Sequence, residues 1–369
     1  MPFCKKACHY CDFHFSTSFK KKEAIIAALC SEIKLRKHEL NDDRIQTIYF
    51  GGGTPSVCST SEINQIIETI YTHYNVSKNP EITLEANPDD LSEEKITDLA
   101  STKINRLSIG VQSFFEEDLQ LMNRAHNAQE ALNCLQIAKK QFTNISIDLI
   151  YGIPGMSSNE RWKKNLEITI ALGLPHISSY ALTVEKNTAL EKLIKKGTIA
   201  PVNDATAEAH YQILTATLEK EGYTNYEFSN FGKPNYFSQN NTAYWQGKKY
   251  IGIGPSAHSF DGIHRSWNIA NNTLYIKGIQ SNKRNFETET LTSTDRFNEY
   301  IMTGLRTIWG ISLLKIATDF GQHYLKHLKN QSQAHLKNGL LEIKNEHLHI
   351  TKKGKFLGDG IASDLFFLN

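Results

Sequence analysis

The chain is short of the features that would send it into a membrane or out of the cell. None of its apolar runs approaches the roughly 20 residues that a membrane helix needs. Where a signal peptide would have its apolar stretch, the N-terminus carries charged, cysteine-bearing sequence. These absences lead us to expect a cytoplasmic protein with no integral membrane segment. Charge of one sign is missing too: 41 Lys and Arg residues face 39 Asp and Glu residues among 369. So near a balance provides no field to steer the chain onto nucleic acid, and any anionic ligand must be held by local groups. There is no internal repeat and no low-complexity tract. Six cysteines in a reducing compartment do not make a disulfide framework.

What cysteine there is lies unevenly. Cys30, Cys58 and Cys134 are scattered and read as ordinary buried thiols. Cys4, Cys8 and Cys11 fall within eight positions of PFCKKACHYCDF, residues 2–13. Thiolates so crowded repel one another unless a cation compensates them, which leaves a zinc ion or an iron–sulfur cluster. Zinc would need a fourth ligand, His9 or a distant histidine, and neighbours such as Cys8 and His9 seldom reach one metal without strain. A four-iron cluster on three cysteines leaves one iron with no protein ligand, the open coordination position that a catalytic metal requires.

From residue 20 to about 182, amphipathic helical segments alternate with short β-rich runs. QTIYF (46–50), EITLEAN (81–87), INRLSIGVQ, NISIDLIYG and PHISSYALT read as strands. Helical patterns fall at 59–73, after Ser92 as N-cap, at 128–141 and at 159–172. This alternation predicts parallel βαβ units closing into a barrel or part of one, with chemistry at the C-terminal ends of the strands. Residues 51–54, Glu85, Gln112 and Asp148 fall at such ends. A long helix (205–221) and an aromatic, glycine-rich stretch from Tyr226 to Phe260 follow, suited to covering the barrel. After Leu291, DRFNEYIMTGLRT and GISLLKIATDFG read as helices, LLEIKNEHLHIT as a β pair and the last residues as a helix, together a winged-helix-like module. Given the charge balance, that module is expected to be structural or partner-contacting rather than DNA-binding. The expected units are 1–182, 183–290 and 291–369.

The C-x3-C-x2-C spacing, with Tyr10 before the last cysteine, resembles the signature of the radical S-adenosylmethionine superfamily. GGGTP (51–55), TLEANP, GVQSF, MNRAH and SIDLIYGIPG are similar to motifs of its tetrapyrrole subgroup, the oxygen-independent coproporphyrinogen III dehydrogenases and the HemW haem chaperones. The resemblance implies an α/β fold, a partial (β/α)6 TIM-like barrel. It also implies a [4Fe-4S] cluster on Cys4, Cys8 and Cys11, with S-adenosylmethionine among Gly52, Gly53, Thr54, Glu85, Gln112, Arg124 and Asp148. Arg124 can answer a carboxylate, and Glu85 or Asp148 an ammonium or hydroxyls.

Phe13 stands where the dehydrogenase branch carries another cysteine, and the longer N-terminal segment of that branch is not present here, so the resemblance favours the chaperone branch. The implied partners are then haem and haem-accepting proteins. The alternative is oxidative decarboxylation of a porphyrinogen's two propionates through a 5′-deoxyadenosyl radical, with an external electron donor. In the chaperones' haem-associated H-N-x-x-Y-W motif this chain has Asn240, Asn241, Thr242, Ala243, Tyr244 and Trp245. A carboxamide is a poor axial ligand beside an imidazole. His258 is the substitute candidate, with Tyr244 and Trp245 as stacking partners. Relatives also have a short strand leading into Pro-Phe-Cys. A misassigned start, or a first strand missing beside the cluster, is the expectation here.

Overall fold

The computed structural model describes residues 1–40, 43–155 and 158–368. Its centre is a seven-stranded sheet made of β1 (Ile45–Phe50), β2 (Val76–Ala86), β3 (Arg106–Gln112), β4 (Ile145–Tyr151), β5 (His176–Ala181), β6 (Thr224–Glu227) and β7 (Asn230–Gly232). The order is β1-β2-β3-β4-β5-β7-β6. Each pair from β1 to β5 is parallel, whereas β7 runs antiparallel to both of its neighbours. The partial barrel expected from strand and helix alternation is therefore present. It has five parallel strands and an antiparallel closing pair.

The intervening helices are α1 (Lys22–Leu35), α2 (Thr60–His73), α3 (Glu93–Ala100), α4 (Glu116–Leu121), α5 (Ala128–Gln141) and α6 (Asn159–Leu172). Their starts are written locally. Ser59 with Glu62, and Asn127 with Glu130, form reciprocal capping boxes, and Ser92 and Ser158 accept from the third helical N–H. Alternation along each strand decides what faces which way. One set of positions, including Ile48, Phe50, Ile82, Leu84, Leu107, Ile109, Ile147 and Leu149, packs with Ile25, Ile63 and Leu135 of the helices into the main core. The other set is polar: Tyr49, Glu85, Arg106, Ser108 and Asp148 face a cavity of about 1500 Å³. In a wholly apolar parallel sheet both faces would be packed. Here one face is kept open for a ligand.

Beyond β5 lie α7 (Ala189–Lys195), α8 (Asp204–Lys220), α9 (Gln239–Trp245) and α10 (Asn272–Gln280). A small antiparallel sheet joins His258–Phe260, His264–Asn268 and Phe286–Thr290. This stretch is tied to the barrel by one buried carboxylate. Glu32 of α1 accepts from Gly254 N (2.8 Å), Asn268 Nδ2 (2.7 Å), Tyr275 OH (2.6 Å) and Arg36 Nη1 (3.1 Å). A buried charge with four donors is satisfied, so its desolvation cost is offset.

The C-terminal residues build a second apolar core around Phe297, Ile301, Leu305, Leu328 and Leu348. The helix α11 (Ser293–Leu305) opens on a Thr292–Asp295 capping box, and three short antiparallel strands close the module. GISLLKIATDFG is not one regular helix. Ile311–Ser312 pair as a strand, Leu313–Lys315 turn as a helix capped by Ser312, and Ile316–Phe320 form a wider turn that stops at Gly321, whose φ is 99°.

Candidate metal and cofactor site

The cysteine loop is held by its neighbours on all sides. Lys5 pairs with Asp89 (3.0 Å) and with Asp90. Asn123 Nδ2 donates to Ala7 O (2.7 Å), Lys6 Nζ to Arg124 O (3.2 Å) and Leu190 N to His9 O (2.7 Å). His9 Nδ1 is engaged with Leu121 O at 2.8 Å, so that ring serves to anchor the loop to α4. Before the loop, the chain runs along the triple glycine: Gly53 N donates to Met1 O (2.6 Å) and Thr54 N to Phe3 O (2.7 Å). A Cβ on Gly53 would lie 2.7 Å from Phe3 O and 2.9 Å from Met1 O. The glycines do permit close approach, as their sequence implied. At Gly52 and Gly53 the approaching backbone belongs to the chain itself.

Three sulfurs converge here with unequal support. Thr54 Oγ1 donates to Cys4 Sγ (3.3 Å) and Arg124 Nη1 to Cys8 Sγ (3.3 Å). Burial, first, pushes the Cys4 thiol up and the Cys11 thiol up to about 11, and the neighbouring cysteines add to both. Without a cation the loop is thus driven toward neutral thiols. A polynuclear metal cluster is the group whose charge would reverse that, and an all-sulfur donor set suits iron–sulfur chemistry. Among the described residues, no three His, Cys, Asp or Glu side chains are gathered tightly enough to share one ion. Sulfurs that each take a different corner of a cluster stand farther apart than ligands on one zinc.

Arg124 ties the loop to the strand ends. Its Nη2 donates to Asn87 Oδ1 (2.7 Å) and Gly110 O (2.8 Å), and its Nη1 also meets Tyr10 OH (3.4 Å). Asn87 in turn donates through Nδ2 to Thr54 Oγ1 (3.3 Å). A continuous chain of donors therefore links Cys8, Arg124, Asn87, Thr54 and Cys4. Gly110 makes room for it, since a Cβ there would lie 2.9 Å from Gln112 Nε2 and 3.2 Å from Arg124 Nη2. Gln112 ends β3 in the left-handed region, with φ of 69°, at the point where the register to β4 shifts.

Below this network lie the carboxyls. Tyr49 OH donates to Glu85 Oε1 (2.7 Å), and Ser108 Oγ to Asp148 Oδ1 (3.3 Å). Burial raises Glu85 to about 7 and Asp148 to about 6, and Asp148's charge contributes to the shift at Glu85. Two carboxyls poised near neutrality beside a cavity can accept from an ammonium or hydroxyl group, or keep a proton.

The same cavity reaches the second group of sequence candidates. Asn240, Tyr244 and His258 line it together with Gly52, Glu85 and Asp148. Tyr244 is 45 % exposed and meets Tyr250 edge-on at 4.6 Å, and His258 is exposed and stacks on Trp267 at 5.8 Å. The Asn240 side chain accepts from Thr47 Oγ1 at 3.0 Å. Trp245 is not among the lining residues: the Arg306 guanidinium stands 5.4 Å from its ring centroid. Asn87, Tyr49 and Arg106 were missed in the sequence. For Arg106 the signal was phase, since it stands six residues along β3 from Gln112; Tyr49 and Asn87 sit near or at the ends of β1 and β2, two residues from Gly51 and Glu85.

Comparison with known proteins identifies the family and the fold. Residues 1–183 match the radical SAM superfamily and 291–357 the HemN C-terminal domain. The heme chaperone HemW of Lactococcus lactis subsp. lactis (strain IL1403) is 33 % identical over 364 residues, covering 98 % of this chain and 94 % of that protein. HemW of Bacillus subtilis (strain 168) is 30 % identical, over 98 % and 96 %. The solved structure of coproporphyrinogen III oxidase (HemN) from Escherichia coli, a radical SAM enzyme, superposes with a TM-score of 0.85 at 22 % identity, over 99 % of this chain and 88 % of that one, a likeness of fold.

Proposed function

The chain belongs to the HemW family within the radical SAM superfamily, and on that premise we propose that it binds haem and hands it to haem proteins. Membership implies a [4Fe-4S] cluster and S-adenosylmethionine. In this reading Cys4, Cys8 and Cys11 hold the cluster, which supplies redox chemistry and an open iron position. Thr54, Glu85, Gln112, Arg124 and Asp148, with the backbone of Gly52 and Gly53, surround the sulfonium cofactor. Arg124 orients its carboxylate, and Glu85 and Asp148 accept from its ammonium or hydroxyls. Haem occupies the cavity beside them, against Tyr244 and His258. The observation that supports this reading is that one cavity is lined by Gly52, Glu85 and Asp148 of the cofactor set and by Tyr244 and His258 of the haem set. Its size exceeds the usual range of about 300–1,000 Å³ for a single small-molecule site.

The test is a haem titration of the anaerobically reconstituted protein, followed optically and repeated with His258→Ala and Tyr244→Ala. We expect saturable one-to-one binding that His258→Ala shifts in spectrum and Tyr244→Ala weakens about tenfold, as loss of a stacked aromatic does. Binding no better than to an unrelated protein would overturn the chaperone reading. Formation of a decarboxylated porphyrinogen from coproporphyrinogen would replace it with the enzymatic one.

A further inference from the structure

The cavity floor holds a cation that makes no direct ion pair with the described residues around it, although its charge is felt at Asp148. Arg106, the first residue of β3, is 2 % exposed and lines the cavity. Among the described residues no carboxylate comes within 4.0 Å of it. The one hydrogen bond of its side chain runs from Nη2 to the neutral ring of His176 at 3.3 Å, and its buried Nε has no partner. The nearby carboxylates hydrogen-bond elsewhere: Glu81 accepts from Gln239 N (3.1 Å) and Asn240 N (3.0 Å), and Asp148 from Ser108, with Arg106 acting on Asp148 only at longer range, through its charge. A buried guanidinium left in this state is costly, because its Nε–H has lost water without gaining a partner and its Nη2 meets only a neutral ring. The cost makes sense if an anion that enters the cavity completes the pairing.

Position decides which anion. Arg106 begins β3 and Gln112 ends it, so six residues at ~3.3 Å each place its backbone about 20 Å from the strand end where the cofactor residues gather. We propose that Arg106 receives a propionate carboxylate of the tetrapyrrole as a two-pronged ion pair on the cavity floor. This rests on the haem reading above and adds to it the group by which the ligand is held. The fork of the guanidinium matches a carboxylate's two oxygens. Haem anchored this way would have its carboxylate end deep in the lumen and its ring toward Tyr244 and His258.

The experiment compares iron protoporphyrin IX with its dimethyl ester, which keeps the ring and masks both carboxylates, on the anaerobically reconstituted full chain. We expect the wild type to prefer the free acid at least about tenfold, the scale of a charge-assisted hydrogen-bonded pair. Arg106→Gln should bring the two affinities together by weakening the acid alone, while Lys248→Gln at the cavity mouth keeps the preference. Equal binding of acid and ester by the wild type, or a preference that survives in Arg106→Gln, overturns the anchor and leaves the haem reading intact. An Arg106→Gln protein that loses S-adenosylmethionine affinity and retains the acid preference also overturns it, since the carboxylate would then be the cofactor's. Absence of saturable binding for both porphyrins overturns the haem reading, and the anchor with it. Should Arg106→Gln fail to retain iron, Arg106→Lys, which keeps the charge and loses the fork, is expected to lower the preference several-fold. Equal binding of acid and ester by the wild type overturns the anchor without any variant.

Discussion

The cysteine loop and the lumen beneath it answer the same problem in opposite ways. In the loop, Cys4 and Cys11 are pushed toward neutrality and two of the sulfurs receive a donor, from Thr54 and Arg124. In the lumen, Glu85 and Asp148 are pushed toward neutrality by burial, with the charge of Asp148 adding to the shift at Glu85, while Arg106 makes no direct ion pair among the described residues. Lys5, Lys6 and Arg124 do not bring the loop enough positive charge for three thiolates, and a metal cluster supplies the rest. The lumen lacks ligand groups of both kinds, donors for its carboxyls and an anion for its guanidinium. A site unsatisfied in this patterned way records the charges of what it binds.

The most severe way to break the comparison is Cys8→Ala. We expect iron content and the visible sulfide-to-iron absorption to fall to background after reconstitution, whereas Cys134→Ala, in the helix core, should keep both. If Cys8→Ala retains the absorption, the loop is not the metal site. Gly53→Ala comes next. Its new Cβ meets the backbone of Phe3 and Met1, so we expect a loss of about 1–3 kcal/mol in stability, read from denaturant midpoints, and poor iron retention through displacement of Cys4.

The lumen is sharpened by pH. Glu85 holds its proton more tightly folded, at about 7, than in the unfolded chain, where about 4.3 is usual. Its stabilising contribution is therefore fully present below about pH 4 and is lost as pH rises through 7; Asp148 acts with the same sign up to about 6. The cofactor-free protein should lose about 4 kcal/mol between pH 5 and 8, and Glu85→Gln should remove the larger part of that slope. A rise in stability over that range would contradict the lumen described here. The mildest change is Asn87→Ala, which unlinks Arg124 from Thr54. We expect unchanged iron content and about tenfold weaker S-adenosylmethionine binding by equilibrium dialysis, the usual scale for a residue that orients a ligand-holding group.

Much of the barrel was legible because its signals are local. Capping residues at 59, 92, 127 and 158 and apolar alternation on the strands place helices and strands without reference to anything distant. The failures came where a long-range partner decides. GISLLKIATDFG has helical periodicity, yet Ile311 and Ser312 pair with Leu348 and His347, some 35 residues on, and the first part becomes a strand. Tyr244 and Trp245 are adjacent in sequence and were read as a pair, but α9 turns them apart, one to the cavity and one to Arg306.

By itself the sequence determined the cysteine spacing, the order of parallel strands and helices, and the residues at strand ends, because each is a pattern within a few neighbours. Only the tertiary structure decided how the charges of those residues are balanced. Arg124 meets Cys8 across 116 positions and Arg106 meets His176 across 70. Whether a buried charge finds a partner depends on what the folded sheet brings opposite it, and no local pattern carries that information.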